Sequence, residues 1–189
     1  MRALPERHLK PALTPALSRK RGRGTFGYAR YSPGLRKNGM EIFMSIWKQT
    51  ADLDRINSWN ANSMVDHLGI RIIEVGDDYL RGTMPVDART KQPFGLLHGG
   101  ASVALAETLG SLAGTMCVDA AQEMAVGLDI NANHVRAKTE GVVTGTARPL
   151  HVGRNTQVWE IRIEDERGKL VCISRLTLAI VPRQSPRPV

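Results

Sequence analysis

The chain has 189 residues and 42% hydrophobic content, long enough to bury a real core in one domain, and no apolar run approaches the length of a membrane span. Its formal net charge of +8 arises from 26 Lys+Arg against 18 Asp+Glu, but residues 1–43 hold ten of the bases and two of the acids, so the rest is balanced. A nucleic-acid or membrane-surface role therefore rests on that first segment alone.

Residues 1–43 contain Pro5, Pro11, Pro15 and Pro33, several glycines and no sustained apolar period, and read as a disordered basic extension. The run Arg19-Lys-Arg-Gly-Arg23 could grip phosphates, yet it lacks interleaved aromatics and a folded platform. A mitochondrial-type presequence is also Arg-rich and acid-poor, but prolines spoil an amphipathic helix. The preferred reading is a non-functional extension with Met40 or Met44 as the natural beginning, and a domain over 44–183 that opens with Met44-Ser-Ile-Trp-Lys48. No charged segment followed by an apolar one precedes it, and Cys117 and Cys172 cannot make a disulfide framework. Both facts point to reduced thiols in the cytoplasm.

Within the domain, 53–59 and 63–68 read as short helices, the second capped by Asn62 or Ser63. Strand patterns at 70–75 and 79–84 flank Gly76-Asp-Asp78, a hairpin signal. A loop over 85–98 holds Pro93 and Gly95, and the one long helix runs over 100–118. Strands follow at 125–133, 140–149, 156–164 and 169–181, the last two joined by the tight turn Asp165-Glu-Arg-Gly168. Two strands, one long helix and a run of strands predict an α+β fold, an antiparallel sheet wrapped around a helix.

The long helix carries the chemistry. Gly99 and Gly100 open it, leaving backbone N–H groups free to aim at an oxygen where the helix dipole favours negative charge. Glu107 lies two turns inside, on a stripe of mostly small side chains: Gly100, Val103, Ala104, Gly110, Ser111 and Gly114. Leu105, Leu109, Leu112 and Met116 form the bulky face expected to pack on the sheet. Tight helix packing explains a small stripe but not a carboxylate within it. Oxyanion donors and a nearby carboxylate are the parts that acyl transfer requires. Gly100 and Glu107 are separated by roughly 10 Å along the axis, which suggests that two antiparallel helices complete the pair across a subunit interface. His98, His134 and His151 show no metal-ligand spacing, and no cofactor is expected.

Three segments, Lys91-Gln-Pro-Phe-Gly-Leu-Leu-His98-Gly-Gly-Ala-Ser-Val-Ala-Leu-Ala-Glu107, Gly127-Leu-Asp-Ile-Asn-Ala-Asn-His134-Val-Arg136 and Pro149-Leu-His-Val-Gly153, resemble the hotdog-fold acyl-CoA thioesterases. The resemblance is to the branch around the Arthrobacter-type 4-hydroxybenzoyl-CoA thioesterase. That branch includes the 1,4-dihydroxy-2-naphthoyl-CoA hydrolase of menaquinone biosynthesis and the proofreading thioesterase of enterobactin synthesis. It covers about 45–181 and leaves 1–43 outside. It implies homodimers that join their sheets, paired into a homotetramer.

The resemblance also implies roles. Glu107 would be the catalytic carboxylate, as nucleophile or as general base for water. Gly99 would donate its N–H to the thioester carbonyl, with Gln92 and His98 orienting thioester or water. Ser111 would assist near the acyl group, and His134 would line the acyl end of the cleft. The expected acyl pocket takes in Val65, Leu68, Phe94, Leu97, Val103, Met116 and His134. Arg136, Lys138 and Arg154 could meet the phosphates of coenzyme A, although a solvated cation face explains them equally well. The expected partner is an acyl-CoA, aromatic for preference, or a carrier-protein thioester, with neither nucleic acid nor membrane. Two other readings stay open. One is a 3-hydroxyacyl-thioester dehydratase, against which the His-Gly-Gly sequence argues; the other is a non-catalytic acyl-CoA-binding protein.

Overall fold

A computed structural model describes residues 45–183 in full and the backbone of 35–37 and 40–42. Those last two runs pair as a separate antiparallel ladder, β1 (Leu35–Lys37) and β2 (Met40–Ile42). Everything else expected of the basic extension lies outside the described residues.

Two short helices lead into the sheet. Helix α1 (Leu53–Ser58) starts where the Asp52 carboxylate accepts from Arg55 N, and α2 (Met64–His67) where the Ser63 hydroxyl accepts from Val65 N. These caps satisfy amides that the first turn leaves unpaired. Asn57 fastens α1 to the first sheet strand: its Nδ2 donates to Leu53 O and Ile72 O, and its Oδ1 accepts from Ile72 N.

Six strands form one antiparallel sheet: β3 (Arg71–Val75), β4 (Leu80–Pro85), β5 (Glu123–His134), β6 (Val142–Val152), β7 (Thr156–Glu164) and β8 (Leu170–Pro182). Their order is β3-β4-β6-β7-β8-β5, which leaves β3 and β5 at the edges. Alternating burial along β4, β6 and β7 marks one face turned inward. Helix α3 (Gly99–Met116) lies against that face and touches β4, β5, β6, β7 and β8. Leu105, Leu109 and Met116 are buried there with Leu80, Met84, Ile161, Leu176 and Leu178. Trp47 stacks on buried Trp159 with ring centroids 6.2 Å apart, and its indole donates to Gly76 O.

The wrapping sheet alters two expectations about helix faces. Gly110 and Gly114 belong to the Glu107 stripe, yet both are buried against β8: a β-carbon at 110 would fall 2.5 Å from Leu176 Cδ2, and one at 114 would overlap Leu178. Leu112, assigned to the sheet-facing side, is only half-buried. The strand pattern ending at 149 also runs on to Val152. Pro149 is tolerated because β4 stops pairing at Leu80↔Ala147, and a bulge sits between Pro149 and His151.

Candidate active site

The start of α3 is built by His98. Its Nδ1 accepts from Gly100 N at 2.8 Å, making it the N-cap, and an accepting Nδ1 places the neutral ring's proton on Nε2. Its backbone carbonyl takes the N–H groups of Ala101 and Ser102. One amide of the first turn is left: the Gly99 N–H has no acceptor among the described residues. This narrows the expectation for the glycine pair. Gly100 has spent its donor on the cap, and Gly99 keeps its own. The His134 ring stands over Gly99, with Nε2 2.8 Å from where a β-carbon would be. A residue larger than glycine would displace that ring.

The loop before His98 is tightly braced. Gln92 N donates to Leu96 O, Gly95 N returns to Gln92 O, and Gln92 Oε1 accepts from Phe94 N. Gly95 supports this turn with φ +82. Leu97 N donates to Lys138 O at 2.7 Å, tying the loop to the segment after β5. Phe94 projects from the loop tip, 89% exposed. Arg136 is exposed too, and its guanidinium Nε donates to Leu170 O at 3.2 Å.

Glu107 occupies a different place. It is half-buried, and its Oε1 lies 2.8 Å from where a β-carbon of Gly127 would stand, so the carboxylate rests on the β5 backbone. Ser111 Oγ donates to the same oxygen over a long 3.4 Å. Burial pushes the carboxyl pKa above its ordinary value, and the Ser111 hydroxyl opposes that shift. Among the described residues no cation pairs with Glu107. A salt bridge therefore does not account for this carboxylate among the described residues. Glu107 and Ser111 line an open groove of about 270 Å³ with Asn60, Val65, Thr108, Leu112 and Thr115.

One protomer thus groups the expected residues in two sets: Gln92, Phe94, His98, Gly99, Gly100 and His134 near the start of α3, and Glu107 with Ser111 in its middle. Eight residues separate Gly99 from Glu107, about 12 Å of helix rise. Of the expected pocket residues, Val65 lines the groove, whereas Met116 is 2% exposed in the core and Leu68 and Leu97 pack against that core. Leu112 takes the place expected of Met116, because the curved sheet reaches around the helix to Met116 and leaves Leu112 outside.

Gly127 and Asn60 were not singled out from the sequence. For Gly127 a signal existed, since an isolated glycine in a strand pattern marks a bulge or a close approach. Both occur here: the β5–β8 register shifts between Gly127 and Asp129, directly beside the carboxylate. Asn60 gave none. A larger cavity of about 540 Å³ lies at the other end of α3, lined by Lys48, Arg55, Trp59 and Asp119 among others, and holds none of the expected site residues. Among the described residues no cluster of His, Cys, Asp and Glu could hold a metal ion. No described helix is long and apolar enough to cross a membrane.

Comparison with known proteins shows the family and the fold. The thioesterase superfamily profile matches residues 94–172. The 1,4-dihydroxy-2-naphthoyl-CoA hydrolase of Escherichia coli is 57% identical over 136 residues, covering 72% of this chain and 99% of that enzyme. The proofreading thioesterase EntH of Cronobacter sakazakii is 54% identical over 136 residues, covering 72% and 98%. A crystal structure of a mutant thioesterase PA1618 from Pseudomonas aeruginosa superposes with a TM-score of 0.73 at 54% identity, covering 74% of this chain and all of that one. With such identity over nearly the full length of these relatives, the chain belongs to the thioesterase superfamily of hotdog-fold thioester hydrolases.

Proposed function

We propose that the protein hydrolyses acyl-CoA thioesters, aromatic ones foremost, at a site completed between two protomers. The observation that carries this reading is Glu107, a half-buried carboxylate with no cation beside it among the described residues, in a groove of otherwise neutral side chains. Such a group costs stability unless it is used.

In the proposed reaction the free Gly99 N–H, at the positive end of α3, holds the thioester carbonyl as it gains negative charge. Glu107 then acts in one of two ways. As nucleophile it adds to the carbonyl carbon and expels the coenzyme A thiolate, leaving a mixed anhydride that water cleaves. As general base it takes a proton from water while that water attacks. A thiolate leaves without a separate acid in either route. His98 and Gln92 orient the thioester or water, His134 covers the acyl end beside Gly99, and Arg136 meets the phosphates of coenzyme A.

Distance and surface support the shared site. About 12 Å of helix is too long for one carbonyl to touch both Gly99 and Glu107 of the same protomer. The edge strand β5 lies beside Glu107 and exposes Met124, Val126 and Leu128, an apolar row suited to a second copy. The assembly is a homodimer, or a homotetramer of two dimers, acting in the cytoplasm. The aromatic preference, and a place in menaquinone biosynthesis, rest on likeness to the naphthoyl-CoA hydrolase.

Subunit exchange tests the reading. Glu107→Ala and Gln92→Ala proteins, each impaired on benzoyl-CoA, are mixed under conditions that exchange protomers. Recovery of activity toward one quarter to one half of wild type is expected. No recovery after proven exchange refutes a shared site, and full activity of Glu107→Ala alone refutes the carboxylate.

A further inference from the structure

We propose that Asn60 determines specificity in the acyl groove, its carboxamide being reserved for a hydrogen-bonding substituent of the acyl group, a ring hydroxyl above all. This rests on the thioesterase reading and goes beyond it by naming what the groove selects and which residue selects it.

Asn60 and Asn57 are three residues apart and treat their amides in opposite ways. Asn57 donates to Leu53 O and Ile72 O and accepts from Ile72 N, so its carboxamide is committed to joining α1 and β3. The Asn60 Nδ2 is buried without any hydrogen-bond partner. Its Oδ1 also takes part in no hydrogen bond among the described residues, but is not itself buried. Proteins rarely leave a buried amide unmet, because it gives up water and gains nothing. Only the backbone of Asn60 holds the turn, with N donating to Asn57 O at 3.2 Å and O accepting from Ser63 Oγ.

The position of the unspent amide gives it meaning. Asn60 lines the groove that holds Glu107, together with the apolar side chains of Val65 and Leu112. Two of the three hydroxyls lining the groove are occupied: Thr108 Oγ1 donates to Ala104 O at 2.7 Å, and Ser111 Oγ to Glu107. A turn of the amide about χ2 breaks no hydrogen bond and exchanges which of its NH₂ and its oxygen faces the groove. A hydroxyl both donates and accepts, so it pairs with either orientation. A bare ring pairs with neither and leaves the amide unmet.

The test uses the full-length protein with benzoyl-CoA and its 2-, 3- and 4-hydroxy derivatives. The ratio of kcat/KM for the best hydroxylated thioester to that for benzoyl-CoA is measured in wild type, Asn60→Leu and Asn60→Ala, together with Tm. The expected result is a ratio about tenfold lower in both variants, the size of one net hydrogen bond, through loss on the hydroxylated substrate. Benzoyl-CoA turnover falls less than turnover of the hydroxylated thioester, and Asn60→Leu melts no lower than wild type because it removes an unmet polar group. If Asn60→Leu does not fold, Asn60→Ala alone decides. An unchanged ratio, with or without a fall in Tm, overturns the role of Asn60 while leaving the thioesterase reading intact. Failure of the wild type to cleave any of the four thioesters overturns both.

Discussion

The Glu107 carboxylate rests directly on the backbone of Gly127, with Oε1 2.8 Å from where a β-carbon at 127 would stand. The register shift between Gly127 and Asp129 turns Leu128 outward, 62% exposed, and sets this bare stretch of β5 under the side chain. Gly127→Ala therefore pushes the carboxylate off its seat. Displacing a reacting group by about 1 Å can cost on the order of a hundredfold, so kcat should fall by about ten- to a hundredfold. Residue 127 is solvent-exposed and its φ is not in the left-handed region, so Tm should stay within about 2 °C, or rise as the unfolded chain loses freedom. Steady-state kinetics with a thermal melt checks both, and an unchanged kcat would show that the contact has no catalytic consequence.

Burial that raises the Glu107 pKa also opposes folding once the group ionises. The folded chain holds the proton more tightly than the unfolded chain, so this penalty is absent below the ordinary value of 4.5, grows as pH rises toward the folded pKa, and is constant above it. Glu107→Gln keeps the shape and cannot ionise. It should lose activity by about a thousandfold, within the range for removal of a positioned acid–base group. At neutral pH it should melt higher than wild type, and the gap should close as pH falls below 4.5. A variant that is both inactive and less stable at neutral pH contradicts the assignment of Glu107 as a functional residue held at a cost.

His98 has a structural duty alongside its proposed orienting one. His98→Ala frees the Gly100 N–H and should cost about 1 kcal/mol, the usual value of a side-chain cap. His98→Asn restores an acceptor at the cap but not an imidazole. Tm should therefore fall in the alanine variant and recover in the asparagine variant, while kcat stays low in both. Recovery of kcat with Asn would leave the imidazole with capping as its entire contribution.

Much of this architecture was legible from periodicity, because strands and helices bury side chains at different intervals. The pattern over 156–164 coincides with β7, and Asp165-Glu-Arg-Gly168 forms the turn expected, with Gly168 at φ +69. The site was legible in part. Glu107 stood out because tight helix packing explains a stripe of small residues but not a carboxylate within it. The rest depended on distances that a helical wheel does not contain. A curved sheet covers more than half of a helix's circumference, so Gly114 is buried although it shares a stripe with Glu107, and Leu112 faces the groove although it shares one with Leu105. Whether Gly99 or Gly100 kept its N–H depended on one side-chain rotamer, that of His98. Asn60 looked like an ordinary turn residue until the hydrogen bonds of Asn57 gave it a contrast.

The apolar row Met124, Val126 and Leu128 on an edge strand predicts how the protomers meet. A long edge with exposed apolar side chains invites aggregation unless another chain covers it. A lysine in the row, Val126→Lys, should halve the mass measured by light scattering and abolish turnover, because each site would lose half of its residues. Glu107 and Gly99 remain unaltered in this variant, so lost activity with lost assembly separates site sharing from damage to either half. A monomer of full activity would refute the shared site, and an unchanged assembly would move the interface elsewhere.

The last prediction concerns the brace behind the active-site loop. Lys138 donates to Glu166, whose other oxygen accepts from Val142 N at 2.7 Å, while Lys138 O accepts from Leu97 N, one residue before His98. The Lys138 ammonium, with help from the Val142 amide, lowers the Glu166 carboxyl to about 2. A carboxylate depressed in the folded state stabilises fully above its ordinary value of 4.5 and loses that contribution as pH falls toward about 2. Glu166→Gln should melt lower than wild type at neutral pH, and the two curves should converge between 4.5 and about 2. Because the brace holds Leu97 rather than any reacting group, the neutral-pH loss should appear mainly as a raised KM from a looser loop. A pair of melting curves that stay parallel across this acid range would show that the brace, half-exposed on its Glu166 side, contributes nothing to the fold.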